Sequence, residues 1–172
     1  SGSDRILAAM RRPYTTERFK TLLNDIRTLI PDVEITTDVI VGFPGETSED
    51  FEATLQFAEA CGFSKMHIFP YSKRQGTPAA EMPEQVEEKI KQRRAERLAE
   101  LDRRLHKKAL ANWIGREAYV QFEQSFGEGR VEGLCGAYLR VVAKGDASLC
   151  GSVHKVRLVG DDGEHLLADI TD

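Results

Sequence analysis

The chain of 172 residues holds only three cysteines, Cys61, Cys135 and Cys150, with no CxxC pair among them. An odd, scattered set excludes a disulfide framework and a thiolate zinc site, and fits reduced thiols in a cytosolic protein. No apolar stretch approaches the roughly 20 residues that a membrane-spanning helix needs, and no signal peptide is visible. The expectation is a cytoplasmic protein without a membrane partner. A dominant charge is missing too, since 24 basic and 28 acidic residues leave a net charge of −4. The balance is uneven along the chain: 9 basic against 12 acidic residues in 1–81, 9 against 6 in 82–113, and 6 against 10 in 114–172. Only the middle segment is net basic. The chain begins at Ser1 rather than Met, the beginning expected of a fragment, and Ser1-Gly2 could equally be a tag remnant.

What is present is most informative at Ile35–Asp50. A β-branched strand, Ile35-Thr36-Thr37-Asp38-Val39-Ile40-Val41, stops in the turn Gly42-Phe43-Pro44-Gly45, and a capped acidic helix start, Glu46-Thr47-Ser48-Glu49-Asp50, follows. Such a turn puts backbone amides and a helix N-terminus at the carboxyl end of a strand, where α/β proteins bind ligands.

The neighbouring segments alternate in pattern. A short helix is expected over 4–12, capped by Asp4. A second begins at Thr15 or Thr16, with Phe19, Leu22, Leu23, Ile26 and Ile30 on its apolar side. Residues 33–41 read as a strand buried on both faces. Residues 48–60 form a helix with Phe51, Leu55 and Ala58 inward and Gly62 as its cap. Residues 65–71 form a second strand, in which His67 alternates with core residues and reads as structural. Helix, strand, helix, strand is the repeat of a parallel barrel or a doubly wound sheet.

After a loop at 72–80, a long helix is expected over 83–114. Its stripe is Val86, Ile90, Leu98, Leu101, Leu105 and Ala109, interrupted by Arg94. From Arg116 the period becomes two. About five short antiparallel strands, with Asp161-Asp162-Gly163 as a hairpin turn, predict a small closed β-barrel of the oligonucleotide-binding type. The expected domains are 1–82, a linking helix 83–114 and a barrel 115–172.

Four segments carry a resemblance in order along the chain: Ser1-Gly2-Ser3-Asp4, Met10-Arg11-Arg12-Pro13-Tyr14-Thr15, Thr37–Thr47, and Phe69-Pro70-Tyr71-Ser72 with Gly76-Thr77-Pro78-Ala79-Ala80. Together they resemble the radical-SAM tRNA methylthiotransferases, and the likeness covers essentially the whole chain. It implies an α/β fold: the C-terminal portion of a radical-SAM partial β/α barrel, a long helix, and the small antiparallel, OB-like barrel called TRAM. The wordings Arg11-Arg12-Pro13-Tyr14 and Met66-His67-Ile68-Phe69-Pro70-Tyr71-Ser72 are most similar to the branch acting on threonylcarbamoyladenosine, 3′ of the anticodon. The isopentenyladenosine branch is the nearest competitor. The implied partners are tRNA, S-adenosyl-L-methionine and N-terminal domains of the same protein. Those domains carry three cysteines and a CxxxCxxC motif for two 4Fe-4S clusters, whose ligands are absent from this chain. This portion alone is therefore expected to be inactive, with no catalytic residue and no metal ligand of its own.

The resemblance assigns cofactor-binding positions to Ser1, Ser3, Arg12, Asp38, Ile40, Gly42, Phe69 and Tyr71. Arginine offers a planar double donor for the carboxylate of S-adenosylmethionine; its plain alternative is a solvated charge beside Arg11. Ser1 and Ser3 match hydroxyl positions near the ribose, or are a helix cap and a chain end. Ile40 to Gly42 would lie against adenine, or be core strand and turn. Asp38 interrupts an apolar strand, and a buried carboxylate needs a partner. Phe69, Tyr71 and Ser72 would offer backbone to adenine, or be core. Glu46 could simply favour a helix start.

Lys73, Arg74, Arg140, Lys155 and Arg157 are candidates to meet tRNA phosphates, although the barrel segment is acidic overall. The cations of the long helix read as a solvated, salt-bridged face. Two readings from other classes stand beside the enzyme portion. One is a non-catalytic tRNA-binding module. The other is a metal-free parallel-barrel enzyme holding a small phosphate ligand at residues 42–48.

Overall fold

The computed structural model describes residues 1–171. Its helices are α1 (Asp4–Ala9), α2 (Thr16–Leu29), α3 (Ser48–Cys61), α4 (Pro78–Glu81) and α5 (Glu88–Trp113). Its strands are β1 (Thr36–Val41), β2 (Lys65–Pro70), β3 (Glu117–Ser125), β4 (Arg130–Cys135), β5 (Arg140–Lys144), β6 (Val153–Asp161) and β7 (Leu166–Ile170). The described residues gather into two compact units, Ser1–Leu105 and the residues from His106 onward, and α5 contributes to both. No described helix is long and apolar enough to cross a membrane.

In the first unit β1 and β2 pair in parallel, joined through α3, with Asp38 opposite His67 and Ile40 opposite Phe69. Side chains alternate across a strand, so the two faces differ. Val39, Val41 and Met66 pack with Phe51, Ala58, Leu98 and Leu101 in one core. Asp38, His67 and Phe69 on the other face are exposed. The expectation of a strand buried on both faces is corrected here, while His67 does alternate with the core-facing Met66 and Ile68. β-Branched composition reports strand propensity, not how many layers cover the strand.

Other boundaries shift as well. α1 is capped by Ser3 rather than Asp4 and ends at Ala9, before Arg11 enters the left-handed region at φ 57°. Leu22 and Ile30, counted on the apolar side of α2, are 52% and 56% exposed. α5 starts at Glu88, so Val86 lies ahead of it. Its N-terminal approach runs past the Gly42–Gly45 turn, where Gly45 N–H donates to the Glu84 carbonyl at 2.9 Å. α3 follows its sequence signals closely, with a Thr47–Asp50 capping box and Gly62 left-handed at its end.

The second unit is a closed barrel in the order β3-β4-β5-β7-β6. Its pairs are antiparallel except β5 with β7, which run parallel. A wholly antiparallel barrel is thus corrected: β6 and β7 form a hairpin, and β7 returns to close on β5. Val120, Phe122, Val131, Val141, Val156, Leu158 and Leu166 are fully buried inside, with Leu110 of α5. Gly133 is required, because a Cβ there would stand 2.0 Å from the Gln121 carbonyl oxygen.

Candidate functional site: the cleft at the strand ends

The Gly42-Phe43-Pro44-Gly45 turn does not offer its amides outward. Gly42 N–H donates to Glu46 Oε1 at 2.9 Å, Gly45 N–H to Glu84 O, Glu46 N–H to Phe43 O at 2.9 Å, and Thr47 N–H to Asp50 Oδ2 at 2.9 Å. Two carboxylates, those of Glu46 and Asp50, already take the places an anion would use. This removes the ground for a phosphate ligand at residues 42–48.

Glu46 is buried and bonded to Arg94 Nη1 at 2.6 Å, and Arg94 is itself 6% exposed. Burial pushes the Glu46 carboxyl up in pKa, against the Gly42 N–H and the Arg94 charge that pull it down. Glu46 is therefore more than a helix-dipole residue, and Arg94 is a structural ion-pair partner rather than a solvated cation. Asp50 has the opposite balance. Burial would raise it, but hydrogen bonds from Arg5, from Ser3 Oγ at 2.6 Å, and from Thr47 together hold it well below the usual carboxylate range.

On the other face of the sheet lies an open cleft of about 510 Å³. Six of the eight positions assigned to the cofactor line it, Ser1, Arg12, Asp38, Ile40, Phe69 and Tyr71, together with Ser72 and Arg74. The strand period explains Asp38 and Ile40, and the parallel register puts Phe69 beside Ile40. Arg12 reaches the rim because the left-handed Arg11 turns the chain out of α1 and Arg12 N–H bonds back to Leu7 O at 2.9 Å. Asp38 is exposed there, so the partner that burial would have demanded is not required.

Three predicted residues stand outside the lining. Ser3 is buried, caps α1 and binds Asp50. Gly42 packs on the stem of Lys91, and Lys73 is exposed in the loop. The Tyr71 backbone is engaged on both sides: its N–H donates to Val41 O at 2.8 Å and its carbonyl accepts from Lys91 Nζ at 2.9 Å. Its hydroxyl is buried and has no hydrogen-bond partner among the described residues.

Sequence reasoning missed Lys91, 5% exposed in α5. Its signal was indirect: a cation at the helix position three before Arg94, on the side of the Leu98 and Leu101 stripe.

In the barrel, Lys155 and Arg157 meet on Glu117, at 2.8 and 3.0 Å. The register pairs Glu117 with Arg157 and Tyr119 with Lys155. Lys155, before Arg157, holds the Glu117 carboxyl below its usual range. Arg140 is bound instead to the buried Glu132, at 2.9 Å. Tyr119 and Tyr138 are 66% and 82% exposed, and neither was singled out by the sequence.

A parallel strand pair thus carries a ligand-sized cleft lined from its open face and from the residues that follow β2. Residues 1–58 match the Radical SAM superfamily. A Bacillus subtilis (strain 168) protein, threonylcarbamoyladenosine tRNA methylthiotransferase MtaB, is 41% identical over 92% of this chain and 36% of its own length. A tRNA-2-methylthio-N(6)-dimethylallyladenosine synthase of Thermobifida fusca (strain YX) is 52% identical over 76% of the chain and 26% of its own length. One from Pelotomaculum thermopropionicum is 40% identical over 96% of the chain and 38% of its own length. Over most of its length the chain is similar to proteins of the radical-SAM tRNA methylthiotransferase family, and it spans about a quarter to two fifths of the curated relatives it matches.

That family implies S-adenosylmethionine and iron–sulfur cofactors in general. The cleft fits the first: it has room for a nucleoside, an unsatisfied buried hydroxyl in Tyr71, and the Arg12 guanidinium at its rim. Among the described residues no group of three or more His, Cys, Asp or Glu could hold a metal, and Cys61 and Cys135 are buried.

Proposed function

We propose that this chain supplies the S-adenosylmethionine cleft and a tRNA-contacting barrel to a tRNA methylthiotransferase whose cluster-binding domains lie elsewhere in the same polypeptide. In this reading residues 1–82 are part of a radical-SAM partial β/α barrel, 83–114 a linking helix and 115–172 a TRAM barrel, in a cytoplasmic enzyme. The observation that carries it is one cleft that gathers six of the eight positions the resemblance assigns to the cofactor, Ser1, Arg12, Asp38, Ile40, Phe69 and Tyr71. S-adenosylmethionine, when bound, supplies the radical precursor and the methyl donor. The chain's own residues bind and orient it. Arg12 offers paired donors to a carboxylate, Ile40 and Phe69 supply apolar walls, and the Tyr71 hydroxyl gains the partner it lacks. Two 4Fe-4S clusters are assigned to the remaining domains. Lys73 and Arg74 would face tRNA from the loop, and Arg140, Lys155 and Arg157 from the barrel.

The favoured tRNA position is threonylcarbamoyladenosine, to which a 2-methylthio group is added. A second reading, dimethylallyl (isopentenyl) adenosine, is favoured by the 52% identity of the Thermobifida relative over its matched segment. The test is a chimera: the Bacillus subtilis relative carrying this chain in place of its matching segment, with tRNA nucleosides analysed by mass spectrometry. Methylthiolated threonylcarbamoyladenosine, lost with Arg12→Ala, is the expected product. Methylthiolated dimethylallyladenosine would select the second reading. A folded chimera that modifies neither base would refute the enzyme portion and leave a tRNA-binding module.

A further inference from the structure

We propose that Lys91 is a positioning residue: it fixes the carboxyl end of β2, and through it the Tyr71 hydroxyl, for hydrogen bonding to a nucleoside ligand in the cleft. The inference rests on the cleft reading above and adds to it a residue that neither touches the cleft nor stands in any of the four resembling segments.

The Lys91 ammonium reaches the Tyr71 carbonyl at 2.9 Å and pairs with Glu88, and it lies 5.8 Å from the centroid of the Tyr71 ring. Phe43 meets that ring edge-on at 5.5 Å between centroids. The lysine stem runs through the space a side chain at residue 42 would need: a Cβ there would stand 2.1 Å from Lys91 Cγ. Gly42, at φ 72°, thus admits the lysine. One α5 side chain therefore packs on the end of β1 and hydrogen-bonds the end of β2. Three residues along, Arg94 binds Glu46, which takes the Gly42 N–H.

Burying an ammonium is costly unless it is hydrogen-bonded, whereas a methionine would fill the same volume without that cost. What the ammonium adds over a methionine is the hold on the Tyr71 carbonyl. Tyr71, a residue of the cleft lining, carries the one buried side-chain polar atom without a partner among the described residues. A tethered backbone carrying an unsatisfied donor is the arrangement expected of a preorganised ligand contact.

The experiment titrates the chain with S-adenosylmethionine by calorimetry, comparing wild type, Lys91→Met, Tyr71→Phe and the double variant. Each single change is expected to weaken binding about five- to tenfold, the size of one lost hydrogen bond. The double variant is expected to bind no worse than Tyr71→Phe, because Lys91 acts through Tyr71. A merely structural lysine would lower the melting temperature and leave the affinities unchanged or multiplying; either result overturns the inference. Hydrogen exchange reads the tether without a ligand. Lys91→Met should speed exchange at the Tyr71 and Gly42 amides and leave Met66 unchanged, and uniform protection would overturn the tether. A wild-type chain that fails to bind S-adenosylmethionine refutes the cleft reading and the ligand role with it; altered exchange would then show the tether standing alone.

Discussion

The barrel and the strand-end unit bury very different chemistry. The barrel closes on itself around a core that is mostly aliphatic, with Phe122 and Cys135, and the buried charge described in it is Glu132, paired with Arg140. The strand-end unit buries Glu46, Asp50, Lys91, Arg94 and Asp102, all 9% exposed or less. Asp102 spends its carboxylate on the Met66 N–H at 2.6 Å and on Lys65 at 2.9 Å. A closed barrel satisfies its backbone in its own ladders and needs only apolar filling. A two-stranded sheet with an open face has strand ends and a sharp turn to satisfy, and does it with the charged side chain of Glu46 in the turn and with others from α3 and from α5. Buried charge is concentrated around the strand ends, whereas the barrel's core is mainly apolar.

Breaking the polar side should give the largest effect. Arg94→Met leaves Glu46 buried and unpaired, and urea unfolding should show a loss of about 3–5 kcal/mol. Because the Glu46 carboxyl is already shifted up by burial, its protonated form becomes available as pH falls. The gap between Arg94→Met and wild type should therefore narrow on acidification, and a gap that widens would contradict the assignment. On the apolar side, Leu158→Ala should cost about 2–5 kcal/mol through cavity formation, with no pH dependence.

The third prediction sharpens the contrast between the two buried carboxylates. Asp50 is held below the ordinary carboxylate range, so its contribution is complete above the unfolded value of about 3.9 and is lost as pH falls towards the depressed native value. Stability measured between neutral pH and pH 2 should fall more steeply for wild type than for Asp50→Asn. The smallest effect belongs to the exposed Arg97–Glu52 pair, both about half exposed. Arg97→Ala should change stability by about 1 kcal/mol or less, and added salt should shrink even that.

Much of this was readable before any coordinates. Thr47 three residues before Asp50 and Gly62 after Cys61 bounded α3, because caps are local hydrogen-bond chemistry. The period-two pattern from Arg116 announced the barrel, although not its parallel β5–β7 closure, which joins strands distant in sequence. The cleft was legible as a set of residues, since Arg12, Asp38, Ile40, Phe69 and Tyr71 fall in segments that resemble a family. Its supporting layer was not. Lys91 and Arg94 looked like two more cations on a basic helix, and only their approach to Gly42, Tyr71 and Glu46 distinguishes them from Arg93 and Arg97.

The amino-acid sequence alone carried the family resemblance in its motifs, and it determined the βα order and the presence of a β-barrel, because caps, turn residues and side-chain periodicity act over a few residues. Which face of β1 is open, which way the turn's amides point, and which helix cations are buried were decided by packing between segments some 50 residues apart (Glu46 and Arg94 are separated by 48). Burial and charge pairing depend on neighbours in space, and no local pattern along the chain encodes them.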